Sequence, residues 1–163
     1  MADSPTSQTA ADIMQKHIIT VGPKDSLQEV LQLITENHVT GLPVLDSKSR
    51  CVGVISMADI LNYEQENAEA SAEANADVAK FFDPEKQRWE SMRLSSFAVE
   101  QFGDVPVGEL MTRELVSVGP ETSVREVAQT MVERDVHRIV VLDDRQYLLG
   151  IISAFDFVRL AAF

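Results

Sequence analysis

The sequence repeats itself once. Met14-to-Leu61 and Met111-to-Val158 align without a gap at a separation of 97 positions. The fixed points include Met14/Met111, Val21-Gly22-Pro23/Val118-Gly119-Pro120, Ser26/Ser123, Glu29-Val30/Glu126-Val127, Val44-Leu45-Asp46/Val141-Leu142-Asp143, Gly53/Gly150, Ile55-Ser56/Ile152-Ser153 and Asp59/Asp156. A repeat constrains a fold strongly, because both copies must build the same supersecondary unit. Two copies make a pseudo-symmetric pair and not a solenoid.

Within each copy the spacing predicts strand, helix, strand, strand, helix. His17–Val21 and Glu114–Val118 are short β-branched runs stopped by Gly-Pro. Ser26-Leu27-Gln28-Glu29 and Ser123-Val124-Arg125-Glu126 read as capping boxes. The helices behind them carry apolar stripes, Leu27, Val30, Leu31, Ile34 and Val124, Val127, Ala128, Met131. Gly41–Asp46 and Arg138–Asp143 are apolar runs ending in polar turns, the pattern of strands covered on both faces. The third strands, Cys51–Ile55 and Leu148–Ile152, run straight into Ser-x-x-Asp and a final helix.

Residues 1–10 read as a disordered tail. Between the copies lies an insert, residues 62–107, with ten acidic and four basic side chains. Glu64–Ala79 has good helix formers but no apolar stripe, so an exposed helical extension or a mobile linker is expected. Asp83-Pro84-Glu85 reads as an N-cap with Pro at the first helical position, predicting an ordered helix to about Phe102, ahead of Gly103. Six aromatic residues of the insert, Tyr63, Phe81, Phe82, Trp89, Phe97 and Phe102, require part of it to pack, either on its own domain or as a partner or dimer surface.

The net charge of −12 disfavours nucleic acid as a partner, so an anionic ligand needs a few local donors. Cys51 is the lone cysteine and reads as a small strand residue. His17 and His38 lack spaced metal-ligand partners. No Ser-His-Asp pattern, carboxylate dyad or Walker-type loop occurs, which argues against an enzyme. With no basic, apolar leader and no stretch of membrane-spanning length, a cytoplasmic location is expected.

The chemistry-bearing motif is the repeated Gly-x-Ile-Ser-x-x-Asp: Gly53, Ile55, Ser56, Asp59 and Gly150, Ile152, Ser153, Asp156. Each copy delivers a strand to a helix start, where free amides suit an anion. A carboxylate there can accept two hydrogen bonds from a ribose diol. Ser-x-x-Asp taken alone is far more often a plain capping box than a nucleotide site, and only a family context reverses that order.

The Met, the Thr/Ser-Val-x-Pro, the Ser-x-x-Glu helix start, the Val-x-Asp strand end and the Gly-h-h-Ser-x-x-Asp finish resemble the cystathionine β-synthase (CBS) domain family twice over, across residues 11–61 and 108–160. The resemblance implies an α/β fold of two pseudo-symmetric β-α-β-β-α repeats, residues 11–61 and 108–163, packed sheet to sheet with the helical insert between them. Such pairs, called Bateman modules, bind adenosine compounds in the clefts between repeats. Carried over by position, Asp59 and Asp156 would hold ribose hydroxyls, backed by Ser56 and Ser153. Thr20 and Ser117, beside Ile18 and Leu115, would line base and phosphate. Leu42-Pro43 and Ile139-Val140 would pack on adenine, and His137 and Arg138 would meet phosphate.

Two departures stand out. Nucleotide-binding members often carry Ser or Thr just before the Asp, where this chain has Ala58 and Phe155, and Thr40-Gly41 stands where the second copy has His137-Arg138. The implied function is non-enzymatic: sensing AMP, ADP or ATP (S-adenosylmethionine or NAD also fit), with no covalent cofactor and no metal, and signalling to a regulated protein. A homodimer is expected through Met57, Ile60, Leu61 and Phe157, Val158, Leu160 of the final helices. The alternative is a ligand-free dimerisation or scaffold module acting through the insert.

Overall fold

The computed structural model describes residues 8–68, 77–83, 85, 87–94 and 105–163. In chain order the elements are α1 (Ala10–Ile13), α2 (Leu27–Asn37), β1 (Gly41–Leu45), β2 (Cys51–Ser56), α3 (Met57–Ala68), β3 (Asp77–Asp83), β4 (Arg88–Leu94), α4 (Val107–Leu110), β5 (Ser117–Val118), α5 (Val124–Glu133), β6 (Arg138–Leu142), β7 (Leu148–Ser153) and α6 (Ala154–Ala162). They form two compact units, one of residues 1–18, 48–51 and 114–163 and the other of residues 19–47 and 52–113. The segment leading into each repeat is thus counted with the body of the other.

In the unit built on the first repeat, β1 pairs with β2. The strand expected over His17–Val21 shrinks to a single parallel bridge, Val21 to Val44. It is held by Val21 N–H to the Pro43 carbonyl at 3.1 Å and Leu45 N–H to the Val21 carbonyl at 2.8 Å. Helix α2 starts on the predicted capping box, with the Ser26 hydroxyl accepting from the Glu29 amide at 3.2 Å and Glu29 returning to the Ser26 amide at 3.0 Å. Its stripe Leu27, Val30, Ile34 packs with Leu42, Val44, Ile55 and Ile60 into one core.

The unit built on the second repeat carries the sheet β5-β6-β7, with β5 parallel and β7 antiparallel to β6. Its core joins Val127 and Met131 of α5 to Ile139 and Val141 of β6, Ile152 of β7 and Ala10 of α1. The two copies stop their first helices alike. Val39 N–H reaches the Ile34 carbonyl at 3.2 Å and Val136 N–H the Met131 carbonyl at 3.0 Å, just after the left-handed residues His38 and Asp135.

Three expectations need correcting. Residues 8–10 are structured and not tail: Thr9 bridges Ser123, Val124 N–H donates to the Gln8 carbonyl at 3.0 Å, and Ala10 is buried. Ala10 supplies a small apolar surface where α1 meets α5, which tail-like composition conceals.

The helix expected after Asp83 is a β-hairpin as far as Leu94, β3 antiparallel to β4 with Phe82 opposite Trp89 and Asp83 opposite Arg88 in register. Asp-Pro opens a turn as readily as it opens a helix, and Phe and Trp favour strands. Residues 95–102, the rest of that predicted helix, lie outside the described residues, as do residues 69–76 of the predicted extension. The extension is helical as far as Ala68.

The final helices also differ from expectation. Ile60 and Leu61 of α3 are buried, Ile60 in the core, and Met57 packs on it, so that stripe faces inward. On α6, Phe157 packs on its own core, while Phe155 and Val158 are 60% and 58% exposed.

Candidate functional site

The Ser-x-x-Asp motif forms the same structure in both copies. β2 ends at Ser56 and α3 begins at Met57, so the serine caps the helix and the aspartate stands in its first turn. The Ser56 amide and hydroxyl donate to Asp59 Oδ2 at 2.8 and 2.9 Å, and the Asp59 amide donates back to Ser56 Oγ at 3.2 Å. In the second copy the Ser153 amide and hydroxyl donate to Asp156 Oδ2 at 2.8 and 3.0 Å. One carboxylate oxygen of each aspartate is therefore committed to the cap.

The other oxygen meets a residue from the segment that leads into a repeat. Thr112 is held to β2 by two backbone bonds with Val54, at 2.9 and 3.0 Å, and its hydroxyl lies 3.3 Å from Asp59 Oδ1. Gln15 is held to β7 by two bonds with Ile151, at 2.8 and 3.1 Å, and its Nε2 donates to Asp156 Oδ1 at 2.8 Å. Asp156 is also 3.9 Å from Arg159, whose guanidinium lies 5.0 Å over the Phe155 ring. Asp156 is 6% exposed, whereas Asp59 is only partly buried.

Gln15 and Thr112 fall outside the motifs that mark the site in the sequence. Their signal was position, since each directly follows the repeated Met14 or Met111 and is polar in both copies.

Free amides at the helix starts were expected to receive an anion. The fold uses some of them internally. Met57 N–H donates to the Thr40 carbonyl and Ala154 N–H to the His137 carbonyl, both at 2.9 Å, while the Asp59 amide is taken by Ser56. The chain entering β1 or β6 passes over the helix start, and its carbonyl satisfies an orphan donor there.

The sheet assembles much of the predicted set in the second unit. Ser117 is opposite Val140, and Arg138 is opposite Ser153. The His137 carbonyl caps the helix that carries Asp156. Ser117 is exposed, and Leu115, His137 and Arg138 are partly buried. In the other unit Thr20 precedes the Val21 bridge and is partly buried, while Ile18 is counted with the second-repeat unit. Leu42 and Ile139 lie within the two cores, and Pro43 and Val140 are buried as well.

Among the described residues, no cluster of three or more His, Cys, Asp or Glu could hold a metal ion, and no helix is long and apolar enough to cross a membrane. Each carboxylate is an acceptor built on a helix start, with a serine hydroxyl and amide bonded to one of its oxygens. Such a group receives hydroxyl or amide donors.

Two copies of a helix-backed small sheet, each closing on Ser-x-x-Asp, define a tandem-repeat α/β protein. The CBS domain family model matches residues 10–66 and 107–162, and the chain belongs to that family. It is 30% identical over 156 residues to the CBS domain-containing protein CBSX2, chloroplastic, of Arabidopsis thaliana, across 94% of this chain and 63% of the relative, so it spans under two-thirds of that protein's length. The solved structure of CBSX2 in complex with AMP superposes with a TM-score of 0.68 at 27% identity, covering 95% of this chain and 96% of the other. The CBS domain pair of protein MJ0100, solved with 5′-methylthioadenosine and S-adenosylmethionine, shares the fold with a TM-score of 0.64 at 22% identity, covering 95% and 96%.

Proposed function

We propose that this CBS pair is a non-enzymatic regulatory module that binds an adenosine ligand of the AMP, ADP or ATP type and passes its occupancy to a partner protein. The observation that carries the reading is the division of labour within each aspartate. Oδ2 is fixed by the serine cap, which leaves Oδ1 as the oxygen a ribose hydroxyl would use, facing Thr112 at Asp59 and already accepting the Gln15 amide at Asp156. The resemblance to CBSX2, solved with AMP, supports an adenosine compound over other diols.

Thr20, Ser117, His137 and Arg138 are assigned to base and phosphate, beside Ile18 and Leu115. Leu42-Pro43 and Ile139-Val140 are assigned the rigid apolar backing of the adenine site. A ligand that binds one arrangement of the repeats better than another shifts the population toward it, and a partner reads that shift. A homodimer belongs to the proposal, supported by Phe155 and Val158 on α6, as does residence in the cytoplasm, where adenosine nucleotides are abundant.

The test is a thermal-shift panel of AMP, ADP, ATP, S-adenosylmethionine and NAD on protein stripped of bound ligand. A raised melting temperature with AMP, ADP or ATP supports the reading. No response to any of the five leaves the dimerisation role alone.

A further inference from the structure

The two carboxylates have the same backbone frame and different locks. Gln15 and Thr112 occupy equivalent positions, each fixed by a pair of backbone bonds to the strand that precedes the aspartate. Only the side chain differs. The Gln15 amide donates to Asp156 Oδ1 at 2.8 Å, at the short end of the range for N–H···O bonds. The Thr112 hydroxyl stands 3.3 Å from Asp59 Oδ1, outside the usual range for O–H···O bonds.

From this difference we infer that Gln15 decides which aspartate receives the nucleoside: it latches Asp156, while Thr112 leaves Asp59 receptive. The inference rests on the adenosine reading above and sharpens it to one carboxylate. A ribose diol must donate into Oδ1, since Oδ2 is held by the cap in both copies. At Asp156 that oxygen already accepts the Gln15 amide, lies 3.9 Å from the Arg159 guanidinium, and belongs to a side chain only 6% exposed. Carboxylate oxygens have a second lone pair, but a buried one offers no approach for a further donor. At Asp59 the neighbour is a hydroxyl, which rotates and can accept from one ribose hydroxyl while the carboxylate accepts from the other.

Gln15 differs from a core residue in a way that makes the idea testable. Its side chain is exposed apart from the contact with Asp156, so shortening it opens no cavity in the core. Thr112 is exposed as well, and a longer amide can be introduced there.

The experiment is calorimetric titration of the ligand-stripped full chain with AMP. Wild type should bind one AMP per chain, and Asp59→Asn should abolish that binding while Asp156→Asn leaves it. Gln15→Ala should create a second site that survives in Gln15→Ala/Asp59→Asn and disappears in Gln15→Ala/Asp156→Asn. Thr112→Gln should weaken the first site roughly ten- to hundredfold, the ratio equivalent to one charge-assisted hydrogen bond. Two equal sites in wild type, binding that depends on Asp156 instead of Asp59, or a second site that Gln15→Ala fails to create would each overturn the latch while leaving adenosine binding intact. Absence of AMP binding in every variant overturns the adenosine reading and the latch together.

Discussion

Met111 lies across Gly53 so closely that a methyl group at position 53 would stand 2.8 Å from the methionine sulfur and 2.9 Å from the carbonyl oxygen of Thr112. The same relation links Gly150 to the Met14 side chain. These contacts explain why Met and Gly recur in both copies: the glycine lets the leading segment lie flat on the strand, and that segment brings Thr112 or Gln15 to the aspartate.

Gly53→Ala should therefore destabilise the fold by about 1–3 kcal/mol, the usual range for overpacking a tight contact. The methionine can rotate away, but the Thr112 carbonyl is tied to the Val54 amide at 3.0 Å and can yield only by losing that bond. Urea denaturation checks it, and an unchanged midpoint would contradict the close approach.

The capping boxes give a second expectation. Ser26→Ala removes the acceptor of the Glu29 amide, a loss of about 1 kcal/mol. In the second copy the Ser123 hydroxyl, and then its amide, hold the Glu126 carboxyl below the usual glutamate range. A lowered folded-state value means this stabilisation is complete above the unfolded value, about 4.3, and fades as pH falls through the folded one. The stability gap between wild type and Ser123→Ala should narrow on acidification from neutral pH. Denaturation midpoints across that range measure it, and a gap that widens would contradict the assignment.

The final helices should answer mutation in opposite ways. Ile60 is 1% exposed, so Ile60→Ala should cost about 2–5 kcal/mol through loss of core packing. Val158 is 58% exposed, so Val158→Asp should leave stability within about 0.5 kcal/mol while converting a dimer to monomers. Light scattering beside a denaturation curve separates the two effects. A wild-type chain that is already monomeric would remove α6 from the interface.

Local signals were legible in the sequence. The Ser26 and Ser123 boxes lie within four residues, and the β1 and β6 runs announce burial by composition alone. What covers an apolar stripe was not legible: Ile60 and Val158 share helical spacing, yet one faces a core and the other solvent. Asp83-Pro84 was ambiguous because the same dipeptide begins helices and turns. The bond between Gln15 and Asp156 spans 141 positions, and no periodicity connects residues that far apart. At the site, the sequence showed the aspartates and their caps but not which oxygen each cap occupies.

That the Asp59 carboxylate serves a nucleoside is read most directly from the melting temperature of ligand-stripped protein with and without AMP. At a hundredfold excess over its dissociation constant, a bound ligand stabilises the fold by about 2.7 kcal/mol, which for a chain of this size raises the melting temperature by roughly 5–10 °C. Asp59→Asn should abolish the shift without unfolding the free protein. The asparagine oxygen still accepts from Ser56, while its amide replaces the acceptor that a ribose hydroxyl needs. A rise of that size in wild type, lost in Asp59→Asn, is the result predicted. An unchanged melting temperature in wild type with AMP, ADP, ATP, S-adenosylmethionine and NAD alike would contradict it.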